Sequence, residues 1–157
     1  MDYNDPKVKV AGELVQSFMS VSKILTKFTA INAESLGLTI LQMGILNTIN
    51  SHPYMTLKEI TNKLSIPKST VSVNVDTLVN LKLIERKTNE ENRREINLTI
   101  LPKGKEVSIK SSQNAFSYKA MLSALEAFTE DEINFLINTH GKLLRQLNDE
   151  ECKTNDI

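Results

Sequence analysis

The stretch from Thr56 to Ile100 constrains the fold more than any other part of the chain. It opens with Thr56-Leu57-Lys58-Glu59, a capping-box pattern in which a hydroxyl is followed three residues later by a glutamate. This pattern predicts a short helix at about 57–64. Ser65-Ile66-Pro67 then predicts a turn, and Pro67 suits the first position of a second helix, at about 67–80, because its missing N–H would be unpaired there anyway. These residues predict a helix-turn-helix.

A β-hairpin follows the two helices. Residues 95–100, Glu-Ile-Asn-Leu-Thr-Ile, alternate apolar and polar side chains and therefore predict a half-buried strand. Residues 83–87, Leu-Ile-Glu-Arg-Lys, are its predicted partner, and residues 88–92 form the loop between them. Helix, turn, helix and hairpin in this order predict a winged helix-turn-helix, whose second helix has the shape to enter a DNA major groove.

The predicted second helix has two different faces. Its apolar face, which packs the module, consists of Val71, Val75, Leu78 and Val79. The other positions near its N-terminal end are small and polar, which lets the helix approach base edges, while its dipole favours nearby phosphate. A helix that served only for packing would leave these polar residues unexplained. The predicted DNA contacts are Lys68, Ser69, Thr70, Ser72 and Asn74, with Lys68 on phosphate.

The hairpin tip is basic but also carries acids. Arg93 and Arg94 predict a wing in which one arginine enters a narrow A·T-rich minor groove, where the negative potential is greatest. Three glutamates within residues 90–95 leave a second interpretation open, a solvated loop whose charges balance. Arg86 and Lys87, on the first strand, are interpreted as anchors to the DNA backbone.

Long helices flank this stretch. Apolar residues at spacings of three and four predict a first helix at about 7–33, ended by Gly37, and a last helix at about 130–148. Further capping boxes predict helix starts at Thr39 and Thr129.

The helices at the two ends predict how the chain assembles. Residues 102 to about 125 read as one helix whose first turns are too polar to belong to a core. The terminal helices carry more apolar surface than one chain of this size easily covers, which predicts an intertwined homodimer. We expect residues 1–35 to form an N-terminal dimerisation helix, 36–101 the winged helix-turn-helix lobe, and 102–157 the C-terminal dimerisation helices with a polar tail. The predicted fold class is mainly α with a small β-hairpin wing.

Charge and composition narrow the functional classes. The 157 residues have zero net charge, but residues 51–110 hold 11 Lys and Arg against 7 Asp and Glu. A basic middle with acidic ends suits a DNA reader with a separate assembly region. The chain shows no apolar run of about 18 residues and no signal-peptide pattern, and it has a single cysteine, Cys152. These features predict a cytoplasmic protein that does not cross a membrane and has no internal disulfide.

The sequence shows no pattern of catalysis. It lacks a Gly-rich phosphate loop, a nucleophile elbow and a His/acid pair at useful spacing, so we expect neither an enzyme nor a cofactor. His52 and His140 have no clustered ligands at metal-binding spacing, so a zinc site is not expected. Cys152 lies in a polar tail without a basic neighbourhood, apart from Lys153, to stabilise a thiolate, which disfavours redox sensing.

Taken in order, these pieces resemble the MarR family of bacterial regulators over nearly the whole chain. The pieces that carry the resemblance are the helix 39–50, Thr56-Leu57-Lys58-Glu59-Ile60, Pro67-Lys68-Ser69-Thr70-Val71-Ser72, Leu83-Ile84-Glu85-Arg86, Asn92-Arg93-Arg94, and the exit from Leu98 to Gly104. The resemblance implies a winged-helix homodimer that binds palindromic promoter DNA as a transcriptional regulator, which we take to be a repressor. It also implies release by small effectors, often aromatic, at residues that the sequence does not identify.

Three features depart from the family pattern. Val73 and Thr77 stand where the family often has basic residues, Asn92 where the wing usually begins with Asp, and Lys82 at a usual Gly position, where a left-handed residue is expected. The uncharged positions and the zero net charge support an alternative, a winged-helix protein-interaction module that has lost DNA binding. They also predict that any DNA binding is moderate and salt-sensitive.

Overall fold

The computed structural model describes residues 2–88 and 95–155. Its elements, in chain order, are α1 (Pro6–Ser35), α2 (Ile40–Ser51), α3 (Leu57–Leu64), α4 (Lys68–Asn80), β1 (Ile84–Thr88), β2 (Ile96–Ile100), α5 (Pro102–Asn114), α6 (Phe116–Leu125) and α7 (Glu130–Asn155). The mainly α fold with a β-hairpin wing is confirmed. The chain forms two compact units, Met1–Ser117 and Tyr118–Ile157. The assignment of residues 1–35 and 102–157 to dimerisation stays a prediction.

Threonine capping boxes start three of the helices, as predicted. At α2, Thr39 Oγ1 accepts a hydrogen bond from Gln42 N (3.2 Å), and Thr39 N donates to Gln42 Oε1 (3.0 Å). Thr56 and Glu59 form the same pair at α3, and Thr129 forms it with a glutamate at α7. Each box satisfies backbone N–H groups that the first turn of a helix leaves without partners. Because the pattern is local, the sequence alone predicts these starts.

Left-handed residues end α1 and α4, as predicted, and also α3, where Ser65 has a φ of 52° that was not predicted. Gly37 follows α1 with a φ of 71°, and Lys82 follows α4 with a φ of 57°. Beyond Lys82, Leu83 N donates to Leu78 O (3.0 Å), which is the long bond of a Schellman motif. Gly37 adopts this conformation without steric cost, whereas the Cβ of Lys82 makes it mildly strained.

The core of the first unit is almost entirely aliphatic. Its fully buried large side chains are Ile45, Leu46, Ile49, Ile60, Val71, Val75, Leu78, Ile84 and Leu98. Three of the four predicted core positions of α4 belong to this set, while Val79 is only partly buried at its edge. Because one face of α4 is buried, the opposite face is fixed toward the outside.

The turn and the hairpin hold α4 in place. Pro67 is the N-cap of α4, so the helix begins one residue later than predicted. β1 and β2 pair antiparallel with Ile84 opposite Ile100. On the other edge of β2, Leu98 N donates to Met55 O (2.9 Å), which ties the hairpin to the entry of α3.

The first turns of α5 correct the sequence analysis, because they belong to the core. Gly104, Ser108 and Ser111 are buried, and their spacing of four and three places them on one face of the helix. A Cβ added at Gly104 would lie 2.0 Å from Leu83 O, so a glycine is required for this close approach. The predicted single helix is also wrong: Ala115, with a φ of 20°, separates α5 from α6.

Buried polar side chains link α5 to α1 and α2. Asn32 Nδ2 donates to Ser111 O (2.8 Å), and the hydroxyls of Ser108 and Ser111 donate to Asn47 Oδ1 (2.8 and 3.1 Å). Asn32 and Ala33 are the buried residues of α1. The buried part of this 30-residue helix is therefore its C-terminal end.

Apolar side chains elsewhere on α1 and on α7 are exposed in the single chain. Val10 and Met19 of α1 are 64% and 67% exposed, and Ile137 and Leu144 of α7 are 64% and 60% exposed. α7 starts where predicted and runs to Asn155, beyond the predicted end. Among the helices of the described residues, none combines the length and the apolar character needed to span a membrane.

Candidate nucleic-acid interface

α4 presents the predicted contact residues at two levels of exposure. Lys68, Ser69 and Thr70 form its first turn and are exposed. Ser72 and Asn74 lie further along and are half-buried at the flanks of the helix. The structure therefore brings all five residues together on one helix, with the first turn the most accessible.

The N-terminus of α4 differs from those of α2 and α3. It begins at Pro67, and no side chain in the described part of the chain caps it, whereas threonine boxes cap the other two helices. The first N–H groups of α4 are thus open to an outside acceptor, and the helix dipole adds positive potential there. With Lys68 exposed in the same turn, this helix end suits a DNA phosphate.

Two polar side chains in the middle of α4 bond to the helix itself. Asn74 Nδ2 donates to Thr70 O (2.8 Å), and Thr77 Oγ1 donates to Val73 O (3.0 Å). The Thr77 hydroxyl has a single hydrogen to donate, and Asn74 keeps its Oδ1 as an acceptor. α4 therefore offers fewer donors to base edges than its composition suggests.

The two cations of β1 each contact an acid. Arg86 Nη2 lies 2.7 Å from Asp76 Oδ1 on α4, and Lys87 Nζ lies 2.9 Å from Glu85 Oε1. The hydrogen bond that Lys87 donates to Glu85 raises the pKa of the Lys87 ammonium above its ordinary value. Exposed pairs of this kind contribute little to stability, but each acid reduces the positive potential that its partner would present to DNA.

The predicted wing arginines, Arg93 and Arg94, lie outside the described residues. The described ends of the two strands, Thr88 and Ile96, pair with each other. The minor-groove role of the wing stays a prediction, as do the DNA contacts of α4 and β1.

Sequence reasoning left two α4 residues out of the site. Val73 is 65% exposed, on the face opposite the buried Val71 and Val75. Its signal is in the sequence, because a residue two positions from each of two buried residues points away from a helical core. Asp76 gave no such signal, since its partner Arg86 is ten residues away on another element.

The described residues give little support to a metal site or to a site built on acids with shifted pKa values. Within residues 2–88 and 95–155, no group of three His, Cys, Asp or Glu side chains is placed to hold a metal ion. The lowered pKa values of Glu59 and Glu132 come from hydrogen bonds that the backbone and hydroxyl of Thr56 and Thr129 donate to these carboxylates. These shifts belong to helix caps.

Comparison with known proteins agrees with this architecture. The MarR family model matches residues 36–95. The multiple antibiotic-resistance repressor (MarR) from Listeria monocytogenes is 34% identical, over 92% of this chain and 98% of that one, with a TM-score of 0.65. Staphylococcus aureus MarR, solved in complex with salicylate and kanamycin, is 25% identical over 90% and 95% of the two chains, with a TM-score of 0.76. No curated protein sequence matches significantly.

A DNA complex shares the fold. A MarR family transcriptional regulator from Listeria monocytogenes, complexed with 26mer DNA, is 23% identical over 87% of this chain and 89% of that one, with a TM-score of 0.69. The match at 34% identity spans nearly all of both chains, so it shows membership of the same family and not only the same fold. This chain therefore belongs to the MarR family of transcriptional regulators.

Proposed function

We propose that the protein is a DNA-binding repressor that acts as a homodimer on pseudo-palindromic promoter DNA. The observation that carries this proposal is the outward side of α4, which lies opposite a fully buried face and starts with an uncapped N-terminus and an exposed Lys68. Packing alone would not require these features. The Listeria relative is a multiple antibiotic-resistance repressor, and a family member of the same fold is complexed with 26mer DNA.

Each residue set has its own role in the proposed complex. Lys68 and the first N–H groups of α4 bind phosphate, while Ser69 and Thr70 approach bases or phosphates in the major groove. Arg93 and Arg94 supply the wing contact to the minor groove. Arg86 and Lys87 on β1 anchor the DNA backbone, and the acids they contact reduce the positive potential they present to it.

The exposed apolar residues of α1 and α7 form the proposed dimer interface. Apolar patches of this kind mark interaction surfaces in soluble proteins. Two-fold symmetry would place two copies of α4 about 34–36 Å apart, in successive major grooves of a pseudo-palindrome. The protein would act in the cytoplasm.

A small aromatic molecule is the proposed effector. Staphylococcus aureus MarR is complexed with salicylate, which makes salicylate the probe of choice. An effector that binds better to a form with a different distance between the two α4 helices would shift the dimer away from DNA. Gel shifts with and without salicylate test this, and unchanged DNA affinity across a panel of aromatic acids and phenols would contradict it.

One observation favours a different function, a winged-helix module that binds protein. Arg86 and Lys87 contact acids, and an apolar residue, Val73, is exposed in the middle of α4. These features weaken the positive potential that non-specific DNA binding requires.

Selection from genomic fragments, followed by gel shifts, separates the two functions. The proposed repressor retains specific fragments, and its affinity falls steeply with salt. If each Lys68 of the proposed dimer binds one phosphate, Lys68→Ala should reduce the steepness of log affinity against log salt by about two. Lys142→Ala, which removes the same charge from α7, is the control and should leave the slope unchanged. Failure to retain any fragment at low salt would favour the protein-binding module.

A further inference from the structure

The outward side of α4 has an apolar residue at its centre. Val73 is 65% exposed, and the helical repeat places Ser69 one turn before it and Thr77 one turn after it. A single exposed valine is common on protein surfaces. Its meaning here depends on its position in the proposed recognition helix and on the hydrogen bonds of its neighbours.

The neighbouring polar groups are engaged with the helix. One amide hydrogen of Asn74 bonds to Thr70 O (2.8 Å), and the hydroxyl hydrogen of Thr77 bonds to Val73 O (3.0 Å). Arg86 Nη2, on the neighbouring strand β1, lies 2.7 Å from Asp76 Oδ1 of α4. Asn74, Thr77 and Arg86 therefore have fewer donors left for the edges of adenine and guanine.

We propose that Val73 is a specificity-determining residue, and that its isopropyl group packs against the C5-methyl group of a thymine in each half-site of the operator. Thymine is the base that presents a methyl group in the major groove, so this contact distinguishes it from cytosine without a hydrogen bond. The inference rests on the proposed function, because it requires α4 to lie in the major groove.

Deoxyuridine supplies the sharpest probe, because it lacks only the C5-methyl group of thymidine. Burial of one methyl group changes an equilibrium constant by about fourfold. Removing the methyl group at the symmetric position of both half-sites should therefore weaken binding by about 15-fold. Replacement at thymines that Val73 does not contact should change affinity much less.

The experiment combines base and side-chain changes on a fragment that the wild-type protein retains. Each symmetric pair of thymines is replaced by deoxyuridine, and Kd is measured for the wild-type protein, Val73→Ala and Ser69→Ala. Wild type should show one pair with the 15-fold loss, and Val73→Ala should lose this sensitivity at the same pair. Ser69→Ala, the control on the same face, should keep the sensitivity whatever its own affinity. Val73 is exposed, so Val73→Ala should fold normally, which a thermal melt checks.

Each result decides one claim. If Val73→Ala keeps the deoxyuridine profile of the wild type, or if no pair of thymines is sensitive, Val73 does not read thymine and the inference is wrong, while the repressor function stands. If the wild-type protein retains no DNA at low salt, the proposed function fails, and the inference fails with it. Restored affinity when 5-methylcytosine replaces cytosine at the same position would give further support, because it returns the methyl group on a different base.

Discussion

The lobe and the terminal helices contain similar aliphatic residues and place them in opposite surroundings. Ile45 and Ile49 of α2 are fully buried, whereas Val10 of α1 and Ile137 of α7 are each 64% exposed. In the lobe, short elements cover one another from several directions within a single chain. On the long helices these side chains lie in water, and each Å² of apolar surface left in water costs about 25 cal/mol. The difference teaches that the core around the lobe is completed within one chain, while the terminal helices leave apolar surface exposed that the proposed dimer would cover.

The largest expected effect comes from placing charges on the exposed apolar side of α7. Ile137→Glu combined with Leu144→Glu would bury four carboxylates in each dimer, and an unpaired buried charge costs several kcal/mol. Dimerisation should weaken by about a thousandfold or more, leaving monomers at micromolar concentration. Light scattering on a size-exclusion column measures the mass.

The matched control is Asn138→Glu combined with Gln146→Glu. It introduces the same charge on the opposite side of α7, where both residues are exposed. This protein should stay dimeric. Equal masses for the two double variants would mean that the exposed apolar side of α7 is not the interface.

The next largest effect compares the stability lost on truncating a buried side chain of the lobe with that lost on truncating an exposed side chain of α1. In the monomeric variant, Ile49→Ala should lower the free energy of unfolding by about 2–5 kcal/mol, because it leaves a cavity in the lobe. Val10→Ala in the same background should change it by less than about 0.5 kcal/mol, since its side chain is already in water. Urea unfolding measures both. Similar losses at the two positions would contradict the comparison.

Local patterns account for most of what the sequence predicted. The capping boxes join residues three apart, and the left-handed ends at Gly37 and Lys82 depend on one or two residues, so no tertiary contact is needed to predict them. The apolar face of α4 follows from helical periodicity. For the same reason, the predicted contact residues from Lys68 to Asn74 were found on one outward-facing helix.

Contacts between distant elements account for what was missed. Ser108 and Ser111 are buried because they are small enough for α5 to approach α2, and their hydroxyls bond to Asn47, more than 60 residues earlier. Neither property shows in a polarity pattern. The ion pair of Arg86 with Asp76 likewise required the fold, and the break at Ala115 has no nearby Gly or Pro to signal it.

A smaller effect is expected where α1 meets α5. Asn32 Nδ2 donates to Ser111 O, while Asn32 Oδ1 is buried without a partner among the described residues. Asn32→Ala should destabilise the first unit by about 1 kcal/mol, because loss of the hydrogen bond is partly offset by removal of the unpaired oxygen.

Chemical denaturation of Asn32→Ala, with Glu34→Ala as the control, tests this. Glu34 is exposed on the same end of α1, and its replacement should change the free energy of unfolding by less than about 0.5 kcal/mol. A neutral or stabilising Asn32→Ala would show that the cost of the unpaired oxygen outweighs the hydrogen bond, and that α1 is held against α5 by packing alone.

The smallest effect concerns pH and the cap of α3. The hydrogen bonds from Thr56 to Glu59 lower the pKa of this carboxyl below its ordinary value of 4.5. A depressed folded-state pKa adds stability above the ordinary value, and that stability is lost as pH falls through the folded pKa. Because Glu59 is exposed, solvent screening limits the contribution to about 0.5 kcal/mol or less. Glu59→Gln retains an acceptor for Thr56 N, as Gln42 does at α2, but removes the titration.

Comparing wild type with Glu59→Gln by urea unfolding at about pH 7 and about pH 3 isolates this contribution. The wild-type advantage should be present at the higher pH and should disappear at the lower one, since protonated Glu and Gln are then equally uncharged. An advantage that persists unchanged at low pH would assign it to shape or packing rather than to charge. Because this cap belongs to the lobe, the same difference should appear in the monomeric variant with glutamates at 137 and 144. If it vanished there, the stability of the lobe would depend on the terminal helices after all.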